Sequence, residues 1–531
     1  MLPGAADTPG TPAARAAQPG ATGATGTAPG RPWRVRAALA ARRHWLVAIL
    51  LAAGLVLRVL ALAAYHPALI YVDTLKYLYG ASPGSEPLAY TAVLRLILLV
   101  GDLGTVAAIQ HLLGLAMAVV LYAVLLRRGV ARWLAALAVA PVLLDAYQLQ
   151  MEQTIMADVW FEAMIVAGLA VLLWRPVVTV PIAAVAGLIL GSSATVKQLG
   201  QLLVLPAVLY ALVAARRRAL VAVVLVAACV LPILLYSGVS YARTGHFWLA
   251  HKQPSIGRLA AAADCATLKL PAAVRPLCPT PAEQAMGPDW LEHSGKSPLY
   301  ATPVAPGARG RLISALGSAI RHQQPGRVAV SVLQDSVRLF AVTREPSLWV
   351  VPISRWQFQT SYPTYPPWVT LGRGNVIVVG VQHRVFARFR FRTLNPSYGG
   401  RAQVDRPIAA FLRSYQLGGG YTPGPLLALF CLTGLAGSLL LLTRRGREGR
   451  SRQLALACLL FTSTAVVVLF APDVYEFSWR YQLPAVITLV PAGVLGISAL
   501  LSLGHPQAGA RKHLFGRPRA RPHPGGDATD E

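Results

Sequence analysis

Charge is what this chain has little of. Only 13% of its residues are Asp, Glu, Lys or Arg, whereas soluble globular chains carry about a quarter, so the composition as a whole is that of a membrane protein. Acids are scarcest, 21 against 49 basic residues, and the resulting net charge of +28 would point a soluble protein towards nucleic acid. No aromatic-interleaved basic domain and no zinc-type spacing accompanies that charge, so nucleic acid is not an expected partner. Walker loop, Rossmann glycine pattern and nucleophile elbow are all missing, which argues against a nucleotide-powered machine. There are five cysteines. Cys229, Cys431 and Cys458 fall inside apolar runs as packing residues. Cys265 and Cys278 share one polar loop, where an oxidising exterior would permit a bridge; two free thiols are the alternative.

What the chain has is apolar surface: 55% hydrophobic residues, a mean hydropathy of +0.51, and runs of about 20 residues that are long enough to cross a bilayer. The expected fold class is therefore an all-α polytopic membrane protein. Residues 1–32 are Ala, Gly, Pro and Thr without periodicity and are expected to be a disordered cytoplasmic tail. A basic cluster, Arg31, Arg34, Arg36, Arg42 and Arg43, places the N-terminus inside. Spans are expected at His44 to Ala64, Gly104 to Leu126, Trp133 to Tyr147, Ile155 to Trp174, Val177 to Thr195, Leu199 to Ala214 and Leu220 to Tyr241. Three more follow at Pro425 to Leu442, Leu454 to Ala471 and Leu483 to Leu503, about ten in all. Leu88 to Val100 is short and carries Arg95, so it reads as a helix lying in the interface.

Loops rich in Arg alternate with loops poor in it, which puts both termini in the cytoplasm. The domain plan is then a membrane domain over 33–241 with an outer loop at 65–103, a large extracytoplasmic α-containing domain over 242–420, closing helices over 421–503 and a basic tail over 504–531. Within the large loop, Leu312 to Phe340 reads as an amphipathic helix broken near Pro325. The stretch SLWVVPISRWQFQTSYPTYPPWV suits either a membrane interface or the small core of that domain.

The ionisable residues of the outer loops gather on one face: Asp73, Lys76, Glu86, Glu152, Asp158, Lys197, Asp473, Glu476 and Arg480. The inner face offers mainly Arg. Acids near helix ends are costly to keep there, so such a set marks a candidate site, although any one of them taken alone is as readily a solvated loop residue. Tyr77 and Tyr90 read either as sugar-stacking or as belt aromatics, and Arg58, inside the first span, as snorkelling outward or contacting a phosphate.

The order of these features resembles the GT-C superfamily of polytopic glycosyltransferases, which includes dolichyl-phosphate-mannose protein mannosyltransferases and bacterial lipid-carrier-dependent sugar transferases. YVDTLKYLYGAS resembles the first-loop acid motif, MEQTIMADVWFEAMIVAGLAVLL the segment in which an acid opens a helix, LILGSSATVKQLGQLLVLP the Gly-rich helix ending in a basic residue, and WRYQLPAVITLVP the opening of the last helix. Glu86-Pro87-Leu88 stands where His-Pro-Pro is commoner. The resemblance covers residues 44–241 and 425–503. It implies a membrane glycosyltransferase, hexosyl or pentosyl, working with inversion on the extracytoplasmic side. The donor is a polyprenyl-phosphate-linked sugar, and the acceptor a hydroxyl of wall glycan, glycolipid or protein. On this resemblance Asp73 is the general base, Asp158 the second acid that places acceptor or metal, and Glu152 its competitor. Lys76, Lys197 and Arg480 hold the donor phosphate, with ordinary headgroup anchoring by snorkelling as the alternative, while Glu86, Tyr77 and Tyr90 are the candidate substrate contacts. No cofactor is assigned; the pair of acids leaves a divalent cation, Mg or Mn, open. The Ala, Arg and Gly bias points to the cell membrane of a high-GC bacterium and its envelope. The alternative from another class is a transporter or flippase of a lipid-linked substrate, which predicts internal repeats and broken helices at the midplane; no clear repeat is visible.

Overall fold

The computed structural model describes residues 42–79, 87–250, 255–344, 353–362, 369–371, 376–381, 384–390, 403–475 and 477–503, and the two tails lie outside that set. Nearly all of it belongs to one unit, Leu46–Glu531; of the other, Met1–Trp45, only residues 42–45 are described.

The chain is mostly helical, and its first part alternates long and short apolar helices. In order these are α1 (Trp45–Ala64), α2 (Val72–Tyr79), α3 (Ala89–Ile97), α4 (Leu103–Arg127), α5 (Arg132–Leu144), α6 (Ala146–Gln153), α7 (Asp158–Leu173), α8 (Val180–Ser193), α9 (Val204–Ala214) and α10 (Arg218–Thr244). The polar segment holds α11 (Ile256–Ala262), α12 (Pro281–Gln284), α13 (Pro288–His293), α14 (Pro298–Ala301), α15 (Arg309–Gln323), α16 (Pro325–Arg338) and α17 (Arg406–Leu417). The last helices are α18 (Gly424–Leu439), α19 (Gly449–Phe470) and α20 (Pro484–Leu503).

Among the described residues six helices are long and apolar enough to cross a bilayer: α1, α4, α10, and α18 to α20 with their flanking turns. The count rises to seven if α5 and α6, bent by 49° at their junction, make one span. The other segments expected as spans are shorter. α5 has 13 residues, and at 1.5 Å rise it reaches only about 20 Å of a hydrocarbon core of roughly 30 Å. Composition alone does not distinguish such a helix from a full span, because both are uniformly apolar.

Burial separates centre from rim. In α19 and α20, 67% of the most apolar window is buried, against 22% in α10 and α18. Leu235 and Leu432 stand more than 60% exposed on those outer helices. A continuous apolar outer surface of this kind has lipid as its natural solvent. The helices approach closely where side chains are absent. A Cβ on Gly191 of α8 would lie 2.1 Å from the Cys229 carbonyl oxygen of α10, and one on Gly496 of α20 would lie 2.0 Å from the Thr433 carbonyl oxygen of α18.

The polar segment has a small core of its own around Leu259, Leu277, Leu291, Leu299, Leu316 and Ile320. Cys265 and Cys278 are bonded across it, with Cα atoms 5.9 Å apart. The amphipathic stretch is broken between Gln323 and Pro325, since proline cannot donate into the preceding turn but suits the first turn of the next helix. Ser336 of α16 donates to Asp473 at 2.7 Å and ties this segment to the end of α19. A three-stranded antiparallel sheet, β2 (Val369–Leu371), β3 (Val376–Val381) and β4 (Arg384–Arg390), follows. β1 (Tyr65–His66) pairs antiparallel with β5 (Gln403–Val404), bringing the chain back beside the end of α1.

The close approach at Gly191 gives a stability prediction. Gly191→Ala must push the α10 backbone away and is expected to cost about 1–3 kcal/mol. Gly238→Ala, on the same helix pair but with nothing within 4 Å of the added methyl, should be neutral or slightly stabilising. Thermal melts of the two purified variants in detergent check this.

Candidate functional site

Backbone pairing places Asp73. Leu69 donates to the Gln153 carbonyl and accepts from the Ile155 amide, both at 3.0 Å, forming a parallel bridge between the outer loop and the α6–α7 connection. Thr74 fastens α2 to the same strip: its hydroxyl accepts from the Tyr71 amide at 2.9 Å and donates to the Ile155 carbonyl at 2.8 Å. Asp73 and Asp158, far apart in sequence, are thereby held on neighbouring elements.

Two cations complete the cluster. Arg480, in the turn before α20, donates through Nη1 to Asp73 Oδ2 at 3.0 Å. Its guanidinium lies 5.2 Å from the Tyr481 ring centre, 5.4 Å from that of Trp356 and 5.9 Å from that of Tyr71, so aromatic faces enclose the charge. Burial pushes the Tyr71 phenol up to about 12, so it presents a neutral hydroxyl to this charge. Lys197, at the break between α8 and the turn leading to α9, donates to Asp158 Oδ1 at 2.7 Å. Asp158 opens α7, where the helix dipole favours a carboxylate, and it feels the charges of Lys197, Arg480 and Asp73. Asp158, Lys197 and Arg480 line one cavity of about 100 Å³, together with Glu162, Gln198 and an apolar wall that includes Phe161 and Val468.

Four buried polar atoms of these lining residues have no partner: Asp158 Oδ2, Glu162 Oε1, Gln198 Oε1 and Arg480 Nε. Buried polar groups are nearly always satisfied in folded proteins, so their concentration around one cavity marks it as a site built for a polar ligand.

Not every residue singled out in the sequence reaches the cavity. Glu152, expected on an outer loop beside Asp158, lies in α6 and is wholly buried. It accepts from Arg58 Nη2 at 2.8 Å, and its other oxygen is 2.9 Å from His111 Nδ1. Arg58 correspondingly points inward and also donates to the Gly54, Val142 and Leu143 carbonyls, so it neither snorkels nor faces a phosphate. The bend between α5 and α6 turns Glu152 back into the bundle, where an unpaired ion would be prohibitive and a pair is not. Tyr77 and Tyr90 pack edge to face at 4.9 Å, both buried, and Tyr90 donates to Gln110 at 2.9 Å; their faces are taken up by the core rather than offered to a sugar. Lys76 belongs to α2, but its side chain, like Glu86 and Glu476, lies outside the described residues.

Glu162 was not picked out in the sequence. Its signal was there: an acid one helical turn after Asp158, inside an otherwise apolar helix, where ionisable residues are rare. Tyr71 and Trp356 carried no comparable signal, because only the fold brings them to Arg480. Among the described residues no group of three or more His, Cys, Asp or Glu side chains could hold a metal ion. Asp73 and Asp158 are each bound to a cation instead, so this donor set does not fit Mg or Mn.

The buried pair gives a second prediction. Glu152→Leu strands the Arg58 charge and should lower stability by about 3–5 kcal/mol, while the double variant with Arg58→Leu should recover a large part of that loss. Melting curves of the single and double variants decide it; equal losses would mean that the pair is not the unit that matters. Compared with models of known protein families, with curated proteins and with solved structures, the chain matches none of them.

Proposed function

We propose that the chain is an integral membrane glycosyltransferase of GT-C type, spanning a bacterial cell membrane about ten times. It would move a sugar from a polyprenyl-phosphate donor to a hydroxyl acceptor on the extracytoplasmic side. The observation that carries this reading is the arrangement of Arg480: one edge of its guanidinium holds Asp73, while its buried Nε–H is unpartnered beside a cavity shared with Lys197. That edge has a hydrogen to give to a phosphate oxygen, and Lys197 supplies a second positive charge nearby.

In this mechanism the acceptor hydroxyl attacks the anomeric carbon, and its proton passes to the Asp73 carboxylate. The bond from the anomeric carbon to the phosphate oxygen breaks, and the polyprenyl phosphate leaves with the extra negative charge. Arg480 and Lys197 stabilise that charge as it forms, in surroundings dry enough for the interaction to be strong. Asp158 keeps Lys197 in position. The short helices α5, α7, α8 and α9 would complete the spanning set by stacking with their connections, with the polar segment over 255–344 on the outer side.

Asp73→Asn should lower transfer from a radiolabelled polyprenyl-phosphate sugar in proteoliposomes by roughly 10²–10⁴-fold without unfolding the protein. Arg480→Lys keeps the charge but loses the planar fork and should weaken donor use, seen as a raised KM. Transfer retained in folded Asp73→Asn would remove the proposed base. Movement of the lipid across the bilayer without transfer would favour a flippase.

A further inference from the structure

The phosphate assignment uses one of the four unpartnered atoms at the cavity, the single donor. Three remain, all oxygens: Asp158 Oδ2, Glu162 Oε1 and Gln198 Oε1. Asp158 and Glu162 are 6% and 1% exposed and stand one turn apart on α7, so their oxygens have no access to bulk water. Glu162 is also fixed in place, since its Oε2 accepts from Gln148 Nε2 at 2.9 Å. What completes such a set must hydrogen-bond to several oxygens. A second anion is disfavoured by the Asp158 carboxylate. A cation is disfavoured by the Lys197 ammonium, 2.7 Å from Asp158 and pointing into the same space, and by Arg480 beyond it. A neutral group with several hydroxyls meets the requirement, since a hydroxyl can donate to the Asp158 carboxylate or the Gln198 amide oxygen and can donate to or accept from the Glu162 carboxyl. The cavity wall supplies the rest: Phe161 and Val468 offer apolar surface to the C–H face of a ring.

We infer that Glu162, with Asp158 and Gln198, forms the subsite for the donor's sugar, and that Glu162 is a specificity-determining residue reading its hydroxyls. This rests on the donor reading proposed above and adds to it the location of the sugar. The phosphate lies against Arg480 and Lys197, and the sugar ring is turned inward along α7.

Binding of three probes to the purified full chain in nanodiscs tests the assignment: polyprenyl phosphate, polyprenyl-phosphate hexose and polyprenyl-phosphate pentose. Glu162→Gln and Gln198→Ala should each weaken at least one of the sugar-bearing lipids by about ten- to a hundredfold while leaving bare polyprenyl phosphate unchanged, because only the sugar meets those oxygens. Gln198→Ala leaves the Gln148–Glu162 bond untouched and keeps the test in force should Glu162→Gln fail to fold. Unchanged affinity for both sugar lipids, or equal losses for the bare and sugar-bearing lipids, would overturn the subsite. So would sugar-lipid binding that requires Mg or Mn and disappears on chelation, since the carboxylates would then be holding a cation. If the parent protein binds none of the three lipids, the donor reading itself fails, which is a different result from a parent that binds them and variants that do not discriminate.

Discussion

Arg58 and Glu152 meet at 2.8 Å with both side chains inside the bundle, and much of the membrane-embedded structure is arranged so that they can. An isolated guanidinium in such surroundings costs several kcal/mol, and pairing offsets that only when the remaining hydrogens and lone pairs are also satisfied. Here three carbonyls from α1 and α5 take three more Arg58 hydrogens, leaving only Nε–H without a partner, and His111 meets the second Glu152 oxygen. His111 in turn reaches Gln153 at 2.9 Å, and Gln153 donates to the Tyr65 carbonyl at the end of α1. The network therefore joins α1, α4, α5 and α6, and it ends at the turn from which the outer loop starts.

The same requirement is met differently at the cavity. Asp73 with Arg480 and Asp158 with Lys197 are two ion pairs, each leaving part of its bonding capacity unused. The pairs keep four charges tolerable in a confined space; the unused atoms give that space its chemical character. The network around Glu152 pairs both carboxylate oxygens within the protein and leaves Arg58 Nε without a partner, whereas four such atoms sit on residues that line the cavity. The two acidic clusters of this chain, though close in sequence, thus differ in surroundings: Glu152 is enclosed by protein partners and Asp158 lines a cavity.

The mostly helical membrane character was legible in the sequence because apolar composition reports it directly, and the break at Pro325 because proline acts locally. Asp73, Asp158, Lys197 and Arg480 were legible as a group because each stands at a helix end, where an ionisable residue is conspicuous. Glu152 was misplaced for a physical reason: QLQMEQT is polar, and polarity signals a loop unless something inside the bundle repays it. The partners that do so, Arg58 and His111, lie on other helices, and no local pattern links them. Tyr77 and Tyr90 raise the same difficulty, since an aromatic ring is equally suited to a core, an interface or a sugar, and only the 4.9 Å contact between them selects the first.

One side chain belongs to both clusters. Gln148 of α6 donates to Glu162 at 2.9 Å and lies 3.5 Å from Glu152, so a single amide bridges the Arg58–Glu152 network and the cavity. Its position is set from below by Asp145, which caps α6 through the Tyr147 and Gln148 amides and also accepts from the Thr422 amide just before α18. The bend that carries Glu152 inward thus also fixes the amide that orients Glu162. Gln148 thus touches both the Arg58–Glu152 pair and the carboxyl of the proposed sugar subsite, and the bend that buries one acid sets the side chain that holds the other.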